Sequence, residues 1–325
     1  MWFAVALVVL AVHLFLRLVL ARRHRCSAQN PHDDERTELS VEREAASAPE
    51  ATGSLETRRI VVTGGCGMIG SRVAAHFVER GADVVILDAV LPHSSRVVEG
   101  AVYAPLVDLG NENASAILES ELRDADCVVH TAGLVVLSHQ PSLLRRVHVD
   151  GTRALVDAAR RCGVRAFVLT STAGVLQPRP NSSCTVSADA PSVGPCEAIS
   201  CYGRSKARAE RIVLRADDGA RGGLRTVALR LPGVWGVGDN MIAEPLLRGE
   251  IPAMPVPPFW RANARVEGAV LDLLYVENAA AAHCAAAAAL LGHNAVGSGR
   301  VFNVTNDEPQ VSFFIYRYYM LCEYC

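Results

Sequence analysis

Residues 59 to 88 confine the chain to a small set of folds. RIVVT is apolar and β-branched, and it stops at the four glycines of TGGCGMIG. MIGSRVAAHFVERG then sets Ile69, Val73, Phe77 and Val78 at helical spacing and closes on Gly81, a helix C-cap residue. DVVILD follows as a second apolar run and ends in Asp88. A strand, a glycine turn, a helix and a second buried strand form a βαβ unit, whose parallel strands must be covered on both faces.

The same alternation continues. AVYAPLVDL reads as a third strand and ADCVVHTAG as a fourth. PSLLRRVHVDGTRALVDAARRCG reads as a long helix, VRAFVLTST as a fifth strand, CYGRSKARAERIVLRA as a helix and LRTVALRL as a sixth strand. Strands alternating with helices predict an α/β fold, a Rossmann doubly wound parallel sheet.

The chain before Arg59 has a different character. Residues 1 to 20, MWFAVALVVLAVHLFLRLVL, are long and apolar enough to span a bilayer as a helix. Positive charge follows them at Arg22, Arg23 and Arg25, which predicts an uncleaved anchor with the following chain in the cytosol. A cleaved signal peptide is the alternative, and a glycan on the sequon at Asn181 would favour it. Residues 21 to 57 are basic, then polar, and read as a linker. The folded domain is expected over residues 58 to 325.

With a net charge of −2, no nucleic-acid partner is expected. The 10 cysteines are scattered, and the C-x-x-C of Cys322 and Cys325 lacks two further ligands nearby, so no metal is expected.

The glycines admit two registers. Gly65, Gly67 and Gly70 give G-x-G-x-x-G, whereas Gly64, Gly67 and Gly70 give G-x-x-G-x-x-G. In either, a strand precedes and a helix follows, which makes the turn a phosphate cradle on the free N–H groups of a helix N-terminus. Met68 and Ile69 belong to that first turn. Asp88, eighteen residues after Gly70, is placed to bind ribose hydroxyls and repel a 2′-phosphate. NAD is therefore expected rather than NADP, with Arg72 and Arg96 as the counter-signal.

Chemistry belongs at the carboxyl ends of the strands. Thr172 ends the fifth. Tyr202 and Lys206 form Y-x-x-x-K, four apart on one helix face. A phenol titrates near ~10, and an adjacent ammonium favours the phenolate that neutral-pH proton abstraction needs. Tyr202 then takes an alcohol's proton, with Thr172 hydrogen-bonded to the same oxygen.

From about Arg59 to Gln310 the sequence resembles the extended short-chain dehydrogenase/reductases. TGGCGMIG is similar to their T-G-x-x-G-x-x-G, which selects Gly64, Gly67 and Gly70 and leaves Gly65 as a spectator. VVHTAG resembles their fourth-strand motif, implying Ala132 and Gly133 beside the adenine side of the cofactor. Asp108 and Leu109 match an adenine-touching pair. Thr172, Tyr202 and Lys206 fall on the Ser/Thr-Tyr-Lys triad, and the resemblance gives Tyr202 and Lys206 a cofactor contact as well. VALRLPGVWGVGD, LLYVENAAAAHCAAAAAL and GRVFNVTNDEPQ narrow the resemblance to the 3β-hydroxysteroid dehydrogenase and sterol-4α-carboxylate 3-dehydrogenase (decarboxylating) group.

That resemblance implies NAD-linked oxidation of a sterol or steroid 3β-hydroxyl, with loss of a 4α-carboxylate where one is present. It implies a smaller C-terminal substrate lobe, mainly residues 174 to 200 and 232 to 325. The anchor read from residues 1 to 25 accords with that resemblance: contact with membrane lipid through the N-terminal helix is expected, in an endoplasmic reticulum membrane with the catalytic domain facing the cytosol, and a homodimer is among the allowed assemblies. His148 replaces the group's usual Asn and is expected as a hydrogen-bonding substitute. Arg230 stands one step before the usual Arg-Pro position. Members usually continue past the equivalent of Gln310, so an incomplete lobe is expected. The alternatives are a nucleotide-sugar epimerase, a flavonol-type reductase, or a non-enzymatic NAD-binding membrane protein.

Overall fold

The apolar runs become seven parallel strands of one sheet: β1 (Arg59–Thr63), β2 (Asp83–Leu87), β3 (Val102–Tyr103), β4 (Cys127–His130), β5 (Ala166–Thr172), β6 (Arg225–Leu231) and β7 (Arg300–Asn303). Their spatial order is β3-β2-β1-β4-β5-β6-β7. The computed structural model describes residues 54–111, 114–135, 140–176, 200–239, 270–271, 273–306 and 310–311. The expected anchor, nearly all of the linker, Asn181, most of the expected substrate lobe, and Cys322 and Cys325 lie outside the described residues. Among the described residues no helix is long and apolar enough to cross a membrane.

Side chains alternate across each strand, so the sheet builds two cores. Ile60, Val62, Val84 and Ile86 face one side, beneath helices α1 (Met68–Val78) and α6 (Val276–Leu291). Val61, Val85, Leu87 and Phe167 face the other, beneath α2 (Ala114–Leu122), α4 (Thr152–Arg161) and α5 (Cys201–Arg215). Phe77 and Phe167 are wholly buried, each side chain contributing about 1.5–3 kcal/mol relative to exposure. Buried Ala279, Ala280, Ala287 and Ala288 give α6 a small-residue face in the first core. Glu277 of α6 reaches α1, pairing with Arg72 at 2.7 Å and His76 at 2.8 Å.

Three expectations change. The third strand shrinks to Val102–Tyr103, because Pro105 brings no N–H to a ladder at the sheet's edge. The long helix is divided into α3 (Pro141–Leu144), a π-helical stretch Arg145–Gly151, and α4. In the π stretch the Thr152 hydroxyl takes the His148 carbonyl, and a Cβ on Gly151 would lie 2.9 Å from Leu109 Cβ, so close packing is what requires that glycine. The seventh strand, β7, is an addition to the six read from the sequence. It continues the sheet beyond β6 in register from Arg300↔Val227 to Asn303↔Arg230.

The strand order reverses between β1 and β4, and the crevice at their carboxyl ends is where such folds bind ligands. Gly64 leaves β1 there, and Thr131 to Gly133 leave β4.

Candidate active site

The glycine turn is built by contact. Gly64 has φ +72, and a Cβ on it would lie 2.6 Å from the backbone of Ala132. At Gly70 a Cβ would lie 2.1 Å from the Gly64 carbonyl oxygen, so only a glycine lets α1 sit this close to β1. Gly67 donates its N–H to Gly64 at 3.0 Å and occupies the N-cap of α1. No side chain caps that end, so the first-turn amides at Met68 and Ile69 are offered outward. A Cβ on Gly67 would meet the Gly64 oxygen at 3.2 Å, which leaves the outer side of Gly67 open to a pyrophosphate. Gly65 is not a spectator to the fold, since a Cβ there would press to 2.6 Å from buried Ile86.

Asp88 stands at the carboxyl end of β2, where one carboxylate oxygen accepts from the Cys66 amide at 2.9 Å and the other from the Ala89 amide at 2.7 Å. It braces the turn while keeping lone pairs for hydroxyl donors. Arg72 is occupied by Glu277, and Arg96 donates to the Gly238 carbonyl at 2.6 Å. Both potential 2′-phosphate partners therefore have other commitments. Asp108 is exposed and accepts from the Gly110 amide, while Leu109 is buried against Gly151. These residues fit a dinucleotide with its pyrophosphate on the α1 N-terminus.

Across the crevice, α5 starts at a Ser200 cap whose hydroxyl accepts from the Gly203 amide at 3.0 Å. Tyr202, Lys206 and Glu210 succeed one another by single turns. Lys206 is buried and donates from Nζ to the Thr170 carbonyl at 2.7 Å. Burial pushes its pKa down to about 8, with Glu210 acting in the opposite direction.

Three hydroxyls end β5, and their partners distinguish them. Thr170 bonds buried His283 at 2.8 Å. Ser171 donates to Glu210 at 2.6 Å. Thr172 accepts from the Gly174 amide at 3.1 Å, which leaves its own hydrogen to donate. It lies at the strand's open end, two residues beyond the Lys206 anchor.

Buried polar groups join these elements, and of them Glu210 and His130 were not singled out by sequence. Glu210 and Arg230 form a two-point ion pair at 2.6 and 3.0 Å, with side chains 1% and 3% exposed. The displaced Arg230 thus ties β6 to α5. His130 bonds Thr63 at 2.7 Å and Thr152 at 2.9 Å. His148 accepts from the Leu134 amide at 2.9 Å and bonds Ser205 at 2.8 Å. Desolvation, helped by the Lys206 charge, pushes both histidines down to about 3, so both are neutral. His148 is the hydrogen-bonding substitute expected of it. Only spacing could have flagged Glu210, one turn beyond Lys206.

A family model described as the 3-beta hydroxysteroid dehydrogenase/isomerase family matches residues 61–324. The chain is 28% identical over 272 residues to the Bos taurus sterol-4-alpha-carboxylate 3-dehydrogenase, decarboxylating, covering 82% of this chain and 71% of that one. It is 28% identical over 282 residues to the Homo sapiens 3 beta-hydroxysteroid dehydrogenase type 7, covering 80% and 72%. Among solved structures, the UDP-glucose 4-epimerase of Thermus thermophilus in complex with NAD is similar at a TM-score of 0.60 and 27% identity, covering 78% of this chain and 79% of that one.

Proposed function

The chain belongs to the 3-beta hydroxysteroid dehydrogenase/isomerase family, and on that footing we propose that it is an oxidoreductase converting the 3β-hydroxyl of a sterol or steroid to the ketone, with NAD. The bound cofactor supplies the hydride acceptor. Gly64, Gly67 and Gly70 clear the space for its pyrophosphate, Met68 and Ile69 lie in the helix turn that receives it, and Asp88 takes its ribose hydroxyls. Asp108, Leu109, Ala132 and Gly133 border its adenine side. Tyr202 takes the hydroxyl proton, and Thr172 donates a hydrogen bond to the same oxygen. Lys206 holds positive charge beside the phenol and reaches the nicotinamide ribose.

The observation that carries this reading is the buried Lys206, one turn from Tyr202 and bonded to Thr170 on the strand that ends at Thr172. A buried ammonium favours an anion nearby, which is the state Tyr202 needs. Where the substrate bears a 4α-carboxylate, the product is a β-keto acid, which sheds CO2 without a further residue. The apolar residues 1–20 followed by three arginines support an anchor in the endoplasmic reticulum membrane, where such substrates dissolve.

The test is detergent-solubilised protein with NAD and a panel of 3β-hydroxysterols, with and without a 4α-carboxyl group, followed by NADH absorbance. NADH is expected from at least one sterol. The likeness to a UDP-glucose 4-epimerase supplies the second reading. Epimerisation of UDP-glucose, with no sterol oxidised, would replace the first.

A further inference from the structure

We propose, resting on the reading of Tyr202 as the proton acceptor, that His148 is a positioning residue that sets the catalytic tyrosine against the cofactor-side loop. Its imidazole bridges two pieces of chain. On one side the Leu134 amide donates to Nε2 at 2.9 Å. That makes Nε2 an acceptor, so the single hydrogen of the neutral ring sits on Nδ1. On the other side Nδ1–H donates to Ser205 Oγ at 2.8 Å. Ser205 passes its own hydrogen to the Tyr202 carbonyl at 2.7 Å. Each donor has one acceptor, and the direction runs from the loop after β4 to the first turn of α5.

The ring also meets the tyrosine directly. Its plane stands at 81° to the Tyr202 ring, with centroids 5.5 Å apart. A Cβ on Gly133 would lie 3.4 Å from His148 Nε2 and 3.8 Å from Lys206 Nζ. The loop, the imidazole and the ammonium thus share one small volume. His148 is itself immobilised, being 2% exposed. Its carbonyl accepts from Thr152, whose oxygen accepts from His130 Nε2–H, while Thr63 donates to His130 Nδ1. The strand bearing the glycine turn is therefore joined, through two neutral imidazoles, to the helix bearing Tyr202. Displacements on the order of 1 Å at a reacting group can cost ~100-fold in rate. Loosening this bridge should act on kcat.

The experiment compares full-length wild type, His148→Leu, His148→Asn and Ser205→Ala, with Tyr202→Phe as control. For His148→Leu we expect kcat to fall on the order of 10- to 100-fold, with KM for NAD within about twofold. Asn, which can both accept and donate, should recover to within about fivefold. Ser205→Ala, which keeps the imidazole, should lower kcat in the same sense, and it decides the matter if His148→Leu does not fold. Equal losses in Leu and Asn, or kcat within about twofold of wild type in Leu or in Ser205→Ala, overturn the proposal. A second readout needs no turnover. In spectra of isotope-labelled tyrosine, the Tyr202 resonance, identified by its loss in Tyr202→Phe, should move in Ser205→Ala, which breaks the bridge and keeps the imidazole ring beside the phenol. An unmoved resonance overturns positioning. An inactive wild type or an active Tyr202→Phe instead overturns the dehydrogenase reading, and the resonance alone then judges His148.

Discussion

Lys206 Nζ donates to the carbonyl of Thr170 at 2.7 Å, so the lysine is fastened to the strand that ends in Thr172 and carried on the helix whose first turn holds Tyr202. Tyr202→Phe should abolish turnover and leave NAD affinity within about threefold, since the role proposed for the phenol oxygen is to accept the proton. Steady-state kinetics with a binding titration check this. A Phe variant that turns over normally removes Tyr202 from the mechanism. Lys206→Met should move the acid limb of kcat/KM to higher pH, because the phenol loses its positive neighbour.

Gly70 and Gly67 should respond differently to alanine. At Gly70 the added carbon lies 2.1 Å from a backbone oxygen, so Gly70→Ala should lower stability by roughly 1–3 kcal/mol or more and abolish NAD binding. At Gly67 the nearest atom is at 3.2 Å, a milder contact, so Gly67→Ala should lose less stability than Gly70→Ala and bind NAD weakly. Urea unfolding and cofactor titration on both variants make the comparison.

Asp88→Ala should narrow the preference for NAD over NADP, as the ribose partner is lost and a 2′-phosphate is no longer repelled. Because Asp88 also holds the Cys66 amide, the variant should lose about 1–2 kcal/mol of stability. An unchanged NAD/NADP ratio of kcat/KM would refute the ribose role.

The Glu210–Arg230 pair is nearly sealed from water. Arg230→Met takes the ion-pair partner from a buried carboxylate and should cost about 3–5 kcal/mol, whereas Glu210→Leu with Arg230→Met should recover much of it. Denaturant midpoints for the single and double variants test the coupling.

His130, His148 and His283 are neutral in the fold, pushed down by burial to about 3, about 3 and about 4. Unfolded, each titrates near ~6.5. Below that value the unfolded chain takes up protons that the folded chain refuses, so stability is full above pH ~6.5 and declines as pH falls toward ~4. Each histidine contributes a slope of up to about 1.4 kcal/mol per pH unit. Urea unfolding across that window should show the fall, and a flat profile would contradict neutral burial.

The sheet was legible because buried parallel strands are written as uninterrupted apolar runs: RIVVT, DVVILD and VALRL gave up β1, β2 and β6. The strand, glycine turn and helix were legible because they are adjacent in sequence. The π stretch was not, since a bond such as that of the Thr152 hydroxyl to the His148 carbonyl leaves no mark on hydrophobic spacing. Nor was β7, whose partner β6 lies about seventy residues earlier. The polar interior escaped for the same reason. Thr63, His130, Thr152, Ser205 and Glu210 look like ordinary polar positions until distant elements bring them together.

The outermost strand also constrains the order of events on the ribosome. β6 acquires its far neighbour only from residues 300–303, and the first core acquires much of its cover from α6 at 276–291. A nascent chain stalled near residue 240 therefore presents an open strand edge and an uncovered apolar face. Such an intermediate invites chaperone capture, and Arg72 and His76 of α1 meet their partner Glu277 only once α6 has been made.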